Sequence, residues 1–171
     1  MNIMKKDLPG AAVLYLTGLV IMMAVLYSCS PKPPAKPVEK PYVASAAPAI
    51  EQDILFQINR HRQANHLPPL IENSVIAQEA RKHSIDMASH MVSFGHDGLN
   101  TRMKNISGKV SGVSQVGENV AWGNLNAQQV VSAWLNSPGH RRNIEGKYRL
   151  TGIGVARDSK SRLYFTQIFV R

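Results

Sequence analysis

The stretch that decides how this chain is read is Gly117-Glu118-Asn119-Val120-Ala121-Trp122-Gly123, followed by Trp134-Leu135-Asn136-Ser137-Pro138-Gly139-His140-Arg141-Arg142-Asn143-Ile144. A carboxylate lies between a glycine and an asparagine. Further on, a histidine follows a Ser-Pro-Gly turn and opens a short predicted helix. Pro138 suits the first turn of such a helix, where its missing N–H costs nothing, and Ser137 reads as the residue that caps it. Upstream, Phe94-Gly95-His96-Asp97-Gly98 holds a second histidine in a glycine-flanked loop. Two imidazoles and a carboxylate on loop-like segments are the raw material of a metal centre or of an acid/base pair.

Outward from this stretch, periodicity supplies the frame. Ile50, Ile54, Leu55 and Ile58 fall on one stripe and predict a helix over 50–64, which Leu67-Pro68-Pro69-Leu70 stops. A second helix is expected from about Ser74 to Ser89, capped by Asn73 or Ser74, with Val75, Ile76, Ala80, Met87 and Ala88 on its buried face. Residues 93–114 are rich in glycine and serine and read as a long loop with a short helix near Leu99–Lys104. Loops of that length in a compact domain are functional or disordered. Val130, Val131 and Trp134 mark a helix over 127–135. Two β-branched or aromatic runs, 151–157 and 163–170, read as strands joined through Asp158-Ser159-Lys160-Ser161 as a hairpin. Helices first and strands last argue an α+β domain with a small antiparallel sheet covered by helices.

The N-terminal part reads differently. Lys5 and Lys6 precede an almost unbroken apolar run from Ala11 to Tyr27, which ends at Leu26-Tyr27-Ser28-Cys29. Residues 1–28 are therefore expected to be a targeting signal rather than part of the fold. The ending resembles a bacterial lipobox, which implies acylation of Cys29, with an uncleaved N-terminal anchor as the alternative; for a lipoprotein, Ser30 resembles the outer-membrane sorting pattern of Gram-negative envelopes, though the sequence does not fix the Gram type. Residues 29–48 read as a proline-rich tether: six prolines stand between Pro31 and Pro48, interspersed with Lys32, Lys36 and Lys40. Proline fixes φ and removes a donor, so neither helix nor central strand is expected there. At about 3.1 Å per residue such a tether reaches roughly 55 Å. The folded domain is then 49–171, lipid-anchored outside the cytoplasm.

The chain has 171 residues, enough for one domain with tails. Its formal net charge is +9, and residues 49–171 hold 15 Lys/Arg against 9 Asp/Glu. That surplus suits anionic polymers or lipid headgroups. A nucleic-acid reading is excluded, because it needs a recognisable module or basic residues interleaved with aromatics along one face. Cys29 is the lone cysteine, so neither an internal disulfide nor a cysteine-based zinc site is available.

Taken in order, His96, Gly117-Glu118-Asn119, Trp134 with Ser137–Ile144, Thr151-Gly152-Ile153-Gly154-Val155 and Phe165-Thr166-Gln167-Ile168-Phe169 resemble the bacterial branch of the CAP superfamily: cysteine-rich secretory proteins, antigen 5 and pathogenesis-related proteins, also called the SCP domain. The resemblance runs from about Ile50 to Arg171. It implies an α-β-α sandwich with a cleft lined by two histidines and acidic residues, carried here by His96, Glu118 and His140. Many eukaryotic members have a second glutamate a few residues after the tryptophan. The matching place here is Ser137 or its neighbour, so that member is absent, as are the disulfides. Both departures fit the bacterial branch, and an acid/base scheme that needs two carboxylates lacks its second.

Three functions remain open at this point. His96, Glu118 and His140 could bind a divalent ion, zinc first, with an open position for water or a ligand, in a module that contacts a cell-wall polymer, a lipid or a protein. The same three residues could serve a peptidase-like hydrolase, in which Glu118 or a bound ion activates water. They could also form a hydrogen-bonded cluster that is only architectural. A zincin-type protease is excluded because His-Glu-x-x-His does not occur, and Ser137 does not sit in a Gly-x-Ser-x-Gly elbow. Asn119 is expected to bond loop backbone, and Trp122 and Trp134 to line the core or the cleft. His83 and His90, seven apart on one helical face, are expected at solvent or in a cap, with a flank of the cleft as the alternative. Arg141 and Arg142 are expected either to meet an anionic ligand or to form a plain solvated face.

Overall fold

The computed structural model describes residues 47–171. The expected signal segment, Cys29 and the tether lie outside the described residues. In chain order the elements are α1 (Ala47–Ala64), β1 (Ile71–Glu72), α2 (Ser74–Ala88), α3 (Leu99–Ser107), β2 (Val116–Gly123), α4 (Ala127–Asn136), α5 (Pro138–Ile144), β3 (Leu150–Arg157) and β4 (Leu163–Val170). The four strands form one sheet in the order β1-β3-β4-β2. Strands β3 and β4 form the antiparallel hairpin, β2 pairs antiparallel with β4 over eight residues, and β1 adds two residues in parallel to β3. The α+β sandwich expected from the sequence is what the chain adopts.

The strand period of two sorts side chains to two faces. Ile153 and Val155 of β3 and Phe165 and Phe169 of β4 meet Ile54 and Ile58 of α1 and Val130, Val131 and Trp134 of α4. On the opposite face, Ile168 and Val170 pack on Ile76, Ala80 and Ile106, while Val120, Ala156 and Tyr164 pack on Met87 and Ala88. Each fully buried isoleucine or phenylalanine contributes roughly 1.5–3 kcal/mol relative to exposure, so these two interfaces hold the layers together. Helix α2 lies unusually close to the sheet. A Cβ at Gly152 or Gly154 would collide with the α2 backbone at Ala77 and Arg81. The Ser84 hydroxyl, one turn on, donates to the Gly154 carbonyl at 2.8 Å.

Local signals account for the helix ends. Asn73 caps α2 by accepting from the Val75 and Ile76 amides, and Asn126 and Gln129 form a reciprocal capping box on α4. Pro138 stands in the first turn of α5, and Ser137 occupies the N-cap position, but its hydroxyl makes no capping bond.

The segment 117–123 differs from the loop-like reading: it is the core of β2. Val116, Glu118, Val120 and Trp122 share one face. The glycines are explained by neighbours and backbone rather than by a loop. A Cβ at Gly117 would strike the Tyr148 hydroxyl, and Gly123 has φ +142° where the chain leaves the strand. Helix α1 starts three residues before the expected Ile50, and α3 runs three residues past Lys104.

Side chains pair some of the backbone groups left open on β3 and β2, which makes them poorer templates for aggregation. On β3, beyond the short β1, the Val155 amide donates to Glu51 Oε1 of α1 at 2.9 Å. On β2, the Glu118 carbonyl accepts from Asn143 Nδ2 at 3.1 Å and the Val120 carbonyl from Trp134 Nε1 at 3.2 Å. Strand β2 is therefore an edge strand bordered by α4 and α5, and Glu118 projects from it towards α2 and α3.

Candidate functional site

Glu118 is the centre of the site. Its side chain is fully buried, yet both carboxylate oxygens have charged or polar partners. Arg102 of α3 grips it as a two-pronged fork, with Nε 2.8 Å from Oε2 and Nη2 2.7 Å from Oε1. His96 Nδ1 lies 2.9 Å from Oε1. Bidentate Arg–carboxylate pairs are among the strongest polar contacts a protein makes. They tolerate burial only when the remaining donors are also satisfied. Arg102, 7% exposed, meets that condition: Nη1 also donates to the Asp97 carbonyl at 2.8 Å and reaches His83 Nδ1 at 3.2 Å, and Nη2 donates to the His96 carbonyl at 3.4 Å. The loop that carries His96 is thus tied down by the same guanidinium that holds Glu118.

Tautomers follow from these partners. A carboxylate only accepts, so His96 Nδ1 carries the hydrogen. In the neutral ring the lone pair is then on the far nitrogen, Nε2, and the His96 side chain is 49% exposed. His83 is the reverse. Its Nε2 lies 2.9 Å from the Gly95 carbonyl and must donate, while its Nδ1 faces an arginine donor and must accept. A second hydrogen has no place on this ring. Burial, chiefly, pushes the His83 pKa below its ordinary value, and the Arg102 charge pushes the same way. His83 is 2% exposed and supports the His96 loop from below. The expectation of a solvent-facing or capping histidine fails for His83 because α3 brings Arg102 over it. His90, just past α2, is exposed.

His140 enters from the other side of β2. It lies in α5, half-buried. Burial, chiefly, lowers its pKa, and His96 pushes the same way. Two asparagines hold α5 in place. Asn119, fully buried, donates from Nδ2 to the His140 carbonyl at 3.1 Å and accepts from Asn143 Nδ2 at 2.8 Å. Asn119 is therefore a brace for the backbone, as expected. The C-terminal end of α5 is held by Arg62, whose guanidinium donates to the Ile144, Gly146 and Tyr148 carbonyls. Arg141 and Arg142 are exposed on the outside of α5. Arg141 Nε donates to the Leu135 carbonyl.

Aromatic groups continue from the site along β2. Trp122, on the same face as Glu118, stacks on Tyr164 with ring centroids 6.4 Å apart and meets Phe94 edge-on at 6.5 Å. The Arg162 guanidinium lies 5.2 Å from the Trp122 ring. Trp134, by contrast, is core.

Of the three residues singled out in the sequence, His96 and Glu118 are in direct contact, and His140 stands on α5, whose backbone is held by Asn119 of β2. Among the described residues, no group of three or more His, Cys, Asp or Glu is arranged to hold a metal ion. At this cleft the reason is visible: Glu118 turns both oxygens to Arg102 and His96. The donor set that remains is two imidazoles, one of them oriented from behind by a carboxylate. That arrangement matches the carboxylate–histidine pairs that stand behind metal-ligating imidazoles. Sequence reasoning missed Arg102 and held His83 beside the cleft only as the alternative. The one sequence signal for Arg102 is a lone arginine six residues after His96, in the short helix expected near Leu99–Lys104.

Comparison with known proteins agrees with this architecture. Residues 55–169 match the family model described as the cysteine-rich secretory protein family, CAP. The chain is 33% identical over 138 residues to an uncharacterized protein, YkwD, of Bacillus subtilis; the match covers 77% of this chain and 52% of that one. It is 34% identical over 127 residues to an uncharacterized membrane protein, YlbC, of the same organism, covering 71% of this chain and 34% of the relative. The chain therefore spans about half the length of the first relative and a third of the second. Among solved structures, an extracellular SCP-domain protein from Bacillus anthracis superposes with a TM-score of 0.66 at 30% identity, covering 80% of this chain and 45% of that one. An outer surface protein from Borrelia burgdorferi shares the fold, with a TM-score of 0.61 at 20% identity, covering 71% and 93%. The motif order, the sandwich and these matches agree: the chain belongs to the cysteine-rich secretory protein, or CAP, family.

Proposed function

We propose that this chain is an extracytoplasmic binding module whose cleft takes a divalent ion, zinc first, on His96 Nε2 and the His140 ring. The observation that carries the reading is the 2.9 Å bond from His96 Nδ1 to Glu118. It fixes the tautomer that offers Nε2 as a lone pair, beside a second imidazole whose pKa is lowered by burial and by His96. Neutral imidazoles are the form that ligates. Glu118 acts from behind His96 and is not itself a ligand. When bound, such an ion would supply a Lewis-acidic centre with open positions for a ligand's oxygen atoms. The protein's part is to orient the two rings and present them beside the aromatic wall of Phe94 and Trp122.

The module is proposed to stand on the envelope, acylated at Cys29 and held off the membrane by the proline-rich tether. Relatives described as extracellular, outer-surface and membrane proteins support that location. The surplus of basic over acidic side chains supports a partner with anionic groups, whether cell-wall polymer, lipid or protein.

Metal content decides the first part. The purified chain, offered Zn²⁺ at neutral pH and then desalted, should retain about one ion, and a His96→Ala/His140→Ala variant of unchanged fold should retain none. Equal retention by both, or none by either, would sink the reading. For the anchor, the wild-type chain recovered from membranes should begin at Cys29 and carry acyl mass, and Cys29→Ser should retain residues 1–28; a wild type with residues 1–28 uncleaved and Cys29 unmodified would refute acylation.

A further inference from the structure

We infer that the groove beside Phe94, Trp122 and Tyr164 is a binding subsite for a carboxylated sugar ring of an acidic glycan: the ring lies on the exposed aromatic surface and the carboxylate meets Arg162. The inference narrows the anionic partner proposed above to one class. It rests on that part of the reading alone, since no ion ligand takes part in it.

Phe94 and Trp122 are each 48% exposed, and Met91 is exposed further. Single exposed apolar residues need no explanation, but a cluster does. The rings are interlocked, Phe94 on Trp122 and Trp122 on Tyr164, so they offer a surface that is set before anything binds. Beside them a groove of about 310 Å³ is floored by Met87 and Tyr164 and rimmed by Met91 and Phe94, within the range of small-ligand sites. Tyr164 is only 5% exposed. Among the described residues its hydroxyl makes no hydrogen bond, yet it is not sealed from solvent. Buried polar groups are normally paired, and this one is left for a ligand. Arg162, 5.2 Å from the Trp122 ring, is held by Asp158, which accepts from its Nε at 2.7 Å and from its amide at 2.8 Å. Its Nη1 and Nη2 make no hydrogen bond among the described residues. A fixed planar guanidinium with two unused amino groups is a receptor for a carboxylate, and its turn, 157–162, holds three cations against one carboxylate. A pyranose acid fits both halves. One face of the ring shows C–H bonds, which suit the negative face of an aromatic ring, and its oxygens suit Arg162 and the Tyr164 hydroxyl. A lipid surface would use the apolar side chains but neither the recess nor the fixed donors.

The test uses two acidic probes, a galacturonate tetrasaccharide and an N-acetylglucosaminyl-N-acetylmuramic acid disaccharide, each beside its methyl ester. Titration calorimetry on the purified chain gives affinity, with a chelator present to keep ions out and fold checked by circular dichroism. At least one acid should bind and change the fluorescence of Trp122, the exposed member of a pair whose other member, Trp134, is core. Trp122→Ala and Arg162→Met should each weaken that acid by about tenfold or more. The ester should bind wild type correspondingly less tightly than the acid, and Arg162→Met should bind it no worse than wild type does. Should those two variants fail to fold, Tyr164→Phe carries the test. It removes one oxygen that the fold does not use, so a several-fold loss at unchanged thermal stability is expected. No binding of either acid at millimolar concentration, an ester that binds as well as its acid, or full affinity in any folded variant would overturn the inference. If the acids fail while phosphatidylglycerol vesicles bind through Trp122, the patch is a membrane contact instead. The zinc reading is separate. A chain that retains zinc but binds neither acid keeps that reading and loses this one, and a chain that binds an acid through Trp122 but retains no zinc does the reverse.

Discussion

Arg62 and Arg102 are both buried, at 1% and 7% exposure, and they solve the problem of an interior cation in opposite ways. Among the described residues, Arg62 has no carboxylate partner. It reaches backbone carbonyls only, those of Pro68, Ile144, Gly146 and Tyr148, and burial lowers its pKa. Its charge serves as glue between the end of α1 and the chain leaving α5. Arg102 is matched to Glu118, and its remaining donors go to a histidine and to the loop that carries another. In the first region the charge holds a helix in place, and in the second it holds a carboxylate in place. Burial alone does not tell the two apart; the identity of the acceptors does.

Breaking the pairs should expose that difference. Glu118→Ala is expected to cost most, about 3–5 kcal/mol of stability, because it strands a buried guanidinium; urea unfolding measures this, and a loss below about 1 kcal/mol would mean that Arg102 finds water. Arg62→Met should cost less, about 1–3 kcal/mol, since the unsatisfied carbonyls it leaves are partly offset by removal of a desolvated charge. If it proved the more damaging of the two, the cradle rather than the cluster would be the anchor of the fold. Asn143→Ala, on the helix that Arg62 holds, should cost about 1–2 kcal/mol by freeing the Glu118 carbonyl and the Asn119 side chain. It should also weaken whatever His140 binds, so unfolding and ion titration together check it.

The smallest effect is a pH dependence. The folded-state pKa of His83 lies below 6.5, its ordinary value, so the unfolded chain takes up the proton more readily. Stability is therefore full above about pH 6.5 and is lost as pH falls below it. In His83→Gln the stability difference between pH 7 and pH 5 should shrink but not vanish, because the His140 pKa is lowered too. An unchanged difference would mean that His83 is not the neutral ring described.

What was legible in the sequence follows the same division. Helices whose apolar residues repeat every three or four positions, α1, α2 and α4, were readable, as were the alternating strands β3 and β4. Strand β2 was not, although Val116, Glu118, Val120 and Trp122 alternate, because Gly117 and Gly123 mimic a loop. One of those glycines answers to Tyr148 and the other to the end of the strand, and neither cause lies nearby in the sequence. His96, Glu118 and His140 stood out by residue type and motif, and the first two are in direct contact. Arg102 did not stand out, and His83 stood out only as an alternative flank of the cleft. Their significance is their contact across 19 residues of chain, which a local pattern cannot hold.

The closeness of α2 to the sheet has a consequence for the cleft. Where Gly152 and Gly154 face Ala77 and Arg81, main chain rests on main chain. Such a seat has no rotamers with which to adjust: its height is a dimension of the scaffold rather than an outcome of side-chain fitting. His83 rides on α2 about half a turn beyond that seat, so the floor of the cleft is levelled by two positions on β3 that carry no side chain and touch no ligand. A wider or deeper cleft in this architecture would be reached by changing those two residues, and only secondarily by changing the histidines themselves.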